Sequence, residues 1–89
     1  MDVKNEVKIF KALADKTRLR IVEFLKNGER CVCEIIPITD KSQPAVSQHL
    51  RILSEANILE SRKEGTNIYY RVKNKKFMEI IQMLREIKP

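Results

Sequence analysis

The chain has 89 residues, room for one small domain, expected over 1–89, and too few for a second core. Its 18 Lys and Arg against 12 Asp and Glu give a net charge of +6, which fits nucleic acid or another anionic surface without choosing between them. No apolar run approaches the roughly 18 residues of a membrane span, and Met1–Phe10 lacks the apolar segment of a secretion signal, so a cytoplasmic protein with reduced cysteines and no membrane partner is expected.

Val7, Ile9, Phe10, Leu13 and Ala14 recur at near-helical spacing and predict a first helix over Val3–Leu13 with one broad apolar face. Asp15 is placed to cap a second helix, Lys16–Lys26, with Leu19, Ile21, Val22 and Leu25 inward, and Asn27-Gly28 ends it. Glu29–Ile36 reads as a short third helix carrying Cys31 and Cys33 and closed near Pro37. Thr39-Asp40-Lys41 then turns the chain into Ser42–Leu53. Ser42 is a good N-cap, Pro44 sits in the first turn where its missing donor costs little, and Val46, Leu50 and Leu53 form one apolar stripe. The other face shows Gln43, Ser47, Gln48 and Arg51, with no acidic residue before Leu53. Amides, a hydroxyl and a guanidinium suit a groove of phosphates and base edges, and they also suit an ordinary surface helix. Helix, tight turn, helix is the arrangement whose second helix enters the DNA major groove.

After Ser54–Asn57 the period shifts to that of strands. Ile58–Lys63 and Ile68–Lys73 predict a hairpin around Glu64–Asn67, with Gly65 and Asn67 available for positive φ. Arg62, Lys63, Arg71 and Lys73 make the ribbon basic, as a wing along phosphates or as a solvated hairpin. Alternation places one of Tyr69 and Tyr70 in the core and leaves the other half-exposed. Lys75–Ile87 carries Phe77, Ile80, Ile81, Leu84 and Ile87 along one side, with Met78 and Met83 flanking. That stripe either closes the monomer or, paired with the first helix, joins two copies around a two-fold axis with reading helices about 34 Å apart. The fold class is thus mostly α with one β-hairpin, an α+β winged helix-turn-helix. No nucleophile–base pair, paired carboxylates or glycine-rich phosphate loop is present, so neither an enzyme nor a required cofactor is expected.

Several stretches resemble one family. Lys11-Ala12-Leu13-Ala14-Asp15-Lys16-Thr17-Arg18-Leu19-Arg20-Ile21 resembles the opening signature of the ArsR/SmtB metal-responsive winged-helix repressors, with Lys16 where that family usually has proline. Cys31-Val32-Cys33-Glu34-Ile35 is similar to the inducer motif of its arsenic-responsive branch, Ser42–Leu53 to its recognition helix, and Arg62–Gly65 with Tyr69–Arg71 to its wing. The resemblance implies a homodimeric repressor, joined through its first and last helices, on a palindromic double-stranded DNA operator. It implies that Gln43, Ser47, Gln48 and Arg51 address base edges or neighbouring phosphates, and that Lys41, Ser42, Arg62 and Lys63 anchor the backbone. His49, the only histidine, joins them as a backbone or packing contact.

Two thiols cannot build a four-cysteine zinc site. On a regular helix Cys31 and Cys33 would diverge by about 200°, so an ion gripping both would have to distort that turn and drag the reading helix with it. Thiolates favour arsenite, antimonite or another thiophilic ion over hard cations. The arsenite sensors of the resembled family carry a third cysteine where this chain has Ile36, and their zinc-sensing relatives carry Asp and His on a final helix where Lys75–Ile87 has neither. A Cys31–Cys33 disulfide as a redox signal, a regulator with no inducer, and a winged helix that binds protein stay open beside the metalloid reading.

Overall fold

In the computed structural model, which describes residues 2–88, Asp2 starts the first helix by accepting the Lys4 amide at 2.9 Å. That helix, α1 (Lys4–Leu13), buries Ala12 and Leu13 and rests Ile9 on the core. Val3, Val7 and Phe10, the last 66% exposed, form a second stripe on the outside. The single broad face read from the sequence is therefore two faces, because Phe10 and Ala14 turn outward while Leu13 turns in.

Asp15 caps α2 (Lys16–Phe24) as expected, its carboxylate accepting the Arg18 amide at 3.0 Å. Ile21, Val22 and Leu25 are fully buried. A turn through Gly28, at φ +137°, leads not into a helix but into β1 (Arg30–Cys31). Cys31 is extended and caps α3 (Val32–Ile35), which tightens into a 3₁₀ turn at Ile36–Ile38 around Pro37. Two extended residues show no alternation, so the sequence pattern could not reveal β1.

The turn before the next helix is built by Thr39, which is buried. Its hydroxyl donates to Ile36 O at 2.8 Å and accepts the Lys41 amide at 3.2 Å, while Asp40 takes the left-handed conformation at φ 60°. Ser42 then caps α4 (Gln43–Glu55) through the Ala45 amide, and Val46, Leu50 and Leu53 all sink into the core. At its far end Asn57, at φ 60°, makes a Schellman stop: Ile58 N–H reaches Leu53 O and Asn57 N–H reaches Ser54 O, each at 3.0 Å.

Ile58 and Leu59 are buried, and β2 (Leu59–Glu64) leads out from them to Gly65-Thr66 and back through β3 (Asn67–Val72). The register runs from Leu59 opposite Val72 to Glu64 opposite Asn67. Gly65 takes φ +61°, whereas Asn67, expected as a second left-handed position, is already paired strand. Arg30 and Cys31 pair with Tyr70 and Tyr69, so the hairpin is two strands of an antiparallel sheet ordered β1-β3-β2. Finally α5 (Lys76–Glu86) lays Ile81, Phe77 and Met78 on the core, and Arg85 pairs with Glu23 of α2 at 3.1 Å. Ile80, Met83, Leu84 and Ile87 stay exposed.

Candidate nucleic-acid interface

The seating of α4 fixes what it shows. With Val46, Leu50 and Leu53 buried, the 3.6-residue period turns Gln43, Ser47, Gln48 and Arg51 to solvent on one face, flanked by exposed Lys41 and Ser42. Arg51 Nη2 donates to Gln48 Oε1 at 2.8 Å. That bond aligns two side chains able to read bases, leaving the Gln48 amide protons and the other Arg51 donors open. Glu55, one turn beyond Arg51, closes the face with the helix's only acidic side chain.

His49 sits on the same helix but half-buried, turned toward the corner of α1 and α2. Its Nδ1 lies 3.2 Å from Arg18 Nη1 and 3.9 Å from Asp15 Oδ2. Arg18 also donates to Ala12 O at 2.6 Å and to Lys11 O at 3.3 Å. The bonds that the Asp15 carboxylate accepts, above all the Arg18 amide, hold its pKa below the ordinary carboxylate value. No periodicity signals this three-helix junction, since Arg18 and His49 lie 31 residues apart.

The ribbon holds its charge differently. Arg62 grips Glu29 through Nε at 3.0 Å and Nη2 at 2.5 Å, reaches Glu64 at 2.8 Å, and stacks over the Tyr69 ring at 4.7 Å. These bonds lower the Glu29 pKa and raise that of Arg62, which stays a cation. Arg71 is likewise paired with Glu60. Lys63 has no carboxylate within salt-bridge distance among the described residues. Of the two wing cations expected to anchor the backbone, Arg62 is neutralised in place and Lys63 is open. Tyr69 and Tyr70 are both half-buried, and burial raises the Tyr70 pKa.

The cysteines depart most from expectation. Cys31 is strand and cap rather than helix, so the divergence expected of a regular helix does not arise. The two residues lie 5.1 Å apart at Cα and are joined as a disulfide. Cys31 is 6% exposed and Cys33 is exposed. The Cys33 amide donates to Cys31 Sγ, and Glu34 Oε1 accepts the Cys31 amide at 3.1 Å, a capping box built on sulfur. When reduced, the same pair offers two sulfurs to one soft ion without unwinding α3. Glu34 is engaged in that cap and Glu29 by Arg62, and among the described residues no cluster of three His, Cys, Asp or Glu forms a complete metal site.

Residues 15–61 match the family profile described as "Bacterial regulatory protein, arsR family". An uncharacterised helix-turn-helix-type transcriptional regulator of Methanocaldococcus jannaschii is 46% identical over 80 residues, covering 89% of this chain and 90% of that one. The arsenical resistance operon repressor of Escherichia coli is 46% identical over 67 residues, 74% of this chain and 57% of the repressor, so the chain spans little more than half of that relative. A solution structure of a homodimeric winged helix-turn-helix DNA-binding domain from Mycobacterium bovis superposes with a TM-score of 0.85 at 30% identity, over 94% of this chain and 81% of that one. Among the described residues no helix is long and apolar enough to cross a membrane.

Proposed function

The chain belongs to the arsR family of bacterial regulatory proteins, and from that premise we propose that it is a homodimeric repressor that reads an operator through α4 and releases it on a thiol-directed signal. The observation that carries this reading is the exposed polar face of α4, seated on three buried aliphatics and free of carboxylates from Gln43 to Arg51. Gln43, Ser47, Gln48 and Arg51 meet base edges or adjacent phosphates, and Lys41, Ser42, His49 and Lys63 hold the backbone. Arg62 joins them once it leaves Glu29 and Glu64. The named relative and the homodimeric M. bovis domain support repression and pairing, respectively. So do the outward stripes Val3, Val7, Phe10 and Ile80, Met83, Leu84, Ile87, which a second copy would cover.

The signal enters at Cys31 and Cys33. An arsenite-class ion takes both thiolates of the reduced pair, and the arsenical resistance repressor is the relative that supports this choice. The seating of both sulfurs at the strand–helix junction removes helix unwinding as the route to release. The ion instead takes Cys31 Sγ from the Cys33 amide and disturbs β1, and through it the Tyr69 and Tyr70 pairing of the ribbon. A redox reading stands beside it, favoured by one observation: the two cysteines lie 5.1 Å apart at Cα, within the span of a disulfide. The test is anisotropy of the reduced protein on a palindromic duplex selected from a random pool, titrated with arsenite and separately with diamide, and repeated with Cys31→Ser. Sequence-specific, salt-sensitive binding is expected, with release by arsenite lost in the variant. Release by diamide alone transfers the assignment to redox, and binding with no preference over bulk DNA refutes the repressor reading.

A further inference from the structure

We infer that Arg18 is a positioning residue for DNA binding, which fixes the ring of His49 in the tautomer that offers Nε2–H to a backbone phosphate. The inference rests on the DNA-reading role of α4 proposed above and concerns a residue that does not itself lie on that helix.

Guanidinium carries donors and no acceptor, and it does not lose its proton in a protein. With Arg18 Nη1 at 3.2 Å, His49 Nδ1 is therefore the acceptor in that bond, and the proton of the neutral ring sits on Nε2. Arg18 has no freedom to choose otherwise. Its Nε is spent on Ala12 O at 2.6 Å, its Nη2 on Lys11 O, and its own amide on Asp15. Among the described residues Ser54 Oγ is the one buried side-chain polar atom without a hydrogen-bond partner. His49 Nε2 has no hydrogen-bond partner among the described residues and is not such an atom, so it keeps some access to solvent in a ring whose side chain is 18% exposed. A donor held at one place, on a helix already aimed at DNA, matches a phosphate oxygen. Because Arg18 also grips the last turn of α1, the same side chain sets the ring relative to the helix whose outer stripe faces the second copy.

The chain has one histidine, so ring ¹⁵N spectra of the free protein report this residue alone. The Nε2–H pattern is expected in the wild type, and a mixture of tautomers in Arg18→Gln. Affinity for the selected duplex should fall at least about tenfold in His49→Phe, which loses a hydrogen bond to a charged group, and severalfold in Arg18→Gln, where the unheld ring offers Nε2–H in only part of its tautomers and orientations. His49→Gln keeps a donor near the Nε2 position whatever Arg18 does, and should bind within about threefold of wild type. The deciding variant is Arg18→Gln combined with His49→Gln. If Arg18 acts through the ring, this double variant recovers most of what Arg18→Gln loses. If Arg18 only braces the helices, the double variant stays as weak as Arg18→Gln and the inference is overturned. Unchanged binding in His49→Phe overturns it as well, with the repressor reading intact. A wild type that binds no selected duplex refutes both.

Discussion

Arg51 on α4 and Arg62 on β2 are both exposed guanidiniums, and their neighbours differ in kind. Arg51 donates to an amide oxygen, whereas Arg62 is held by the carboxylates of Glu29 and Glu64. A bond to an amide orients a cation without cancelling its charge. A bond to two carboxylates makes Arg62 unavailable until something displaces them, and exposed pairs of this kind are weak enough to be displaced. On the proposed reading, the helix is prepared for DNA in the free protein, while the ribbon has an intramolecular competitor for the phosphate.

Breaking the helix side should have the largest effect. Gln48→Ala with Arg51→Ala should lower operator affinity at least about a hundredfold and erase the preference over scrambled DNA, each lost base contact being on the order of 1–3 kcal/mol. Circular dichroism should show the fold retained, since both side chains are exposed. Next comes the seating of the two regions. Leu50→Ala should destabilise by about 2–5 kcal/mol in urea unfolding, against about 0.5 kcal/mol for Ile68→Ala on the outer ribbon, because Leu50 is fully buried and Ile68 is 40% exposed. Equal losses would mean that the ribbon is as much core as the helix is.

Freeing the ribbon is a smaller change of opposite sign. Glu29→Gln combined with Glu64→Gln should tighten DNA binding severalfold and steepen the salt dependence by about one phosphate per subunit, as Arg62 loses both carboxylates that hold it. An unchanged slope would mean that Arg62 never reaches DNA. The smallest effect is on pH. Asp15, which caps α2, and Glu29, which restrains the ribbon, both have folded pKa values below their ordinary 3.8 and 4.5. Their stabilisation is complete above those values and is lost as pH falls through the lower folded ones, so Tm should decline modestly below about pH 4.5. Asp15→Asn should remove part of that decline.

What was legible in the sequence follows the range of the interactions. The α4 face could be read from Ser42, Pro44, Val46, Leu50 and Leu53 because caps and periods act within a few residues. The same local chemistry found Asp15, Gly28 and Gly65. It failed at Cys31, where two residues of strand leave no period to count, and where the partners, Tyr69 and Tyr70, lie across the sheet. It could not reach the partners of Arg62 and His49, whose positions are set by Glu29 and Arg18 from distant segments. Composition identified the charged side chains and could not say which were already paired. On α1 and α5 it gave the apolar residues but merged two faces into one, since a helix apolar on both sides resembles a broad single stripe.

The doubled faces of α5 have a consequence for how the molecule responds to dilution. Ile81 and Phe77 tie this helix to its own core while Ile80 and Leu84, its immediate neighbours in the spiral, are left for a second copy. Under the proposed pairing, docking and melting share one structural element, so the melting temperature should climb with protein concentration and a thinly expressed chain should shed this helix first. Occupancy of the operator would then rise more steeply than the number of chains in the cell.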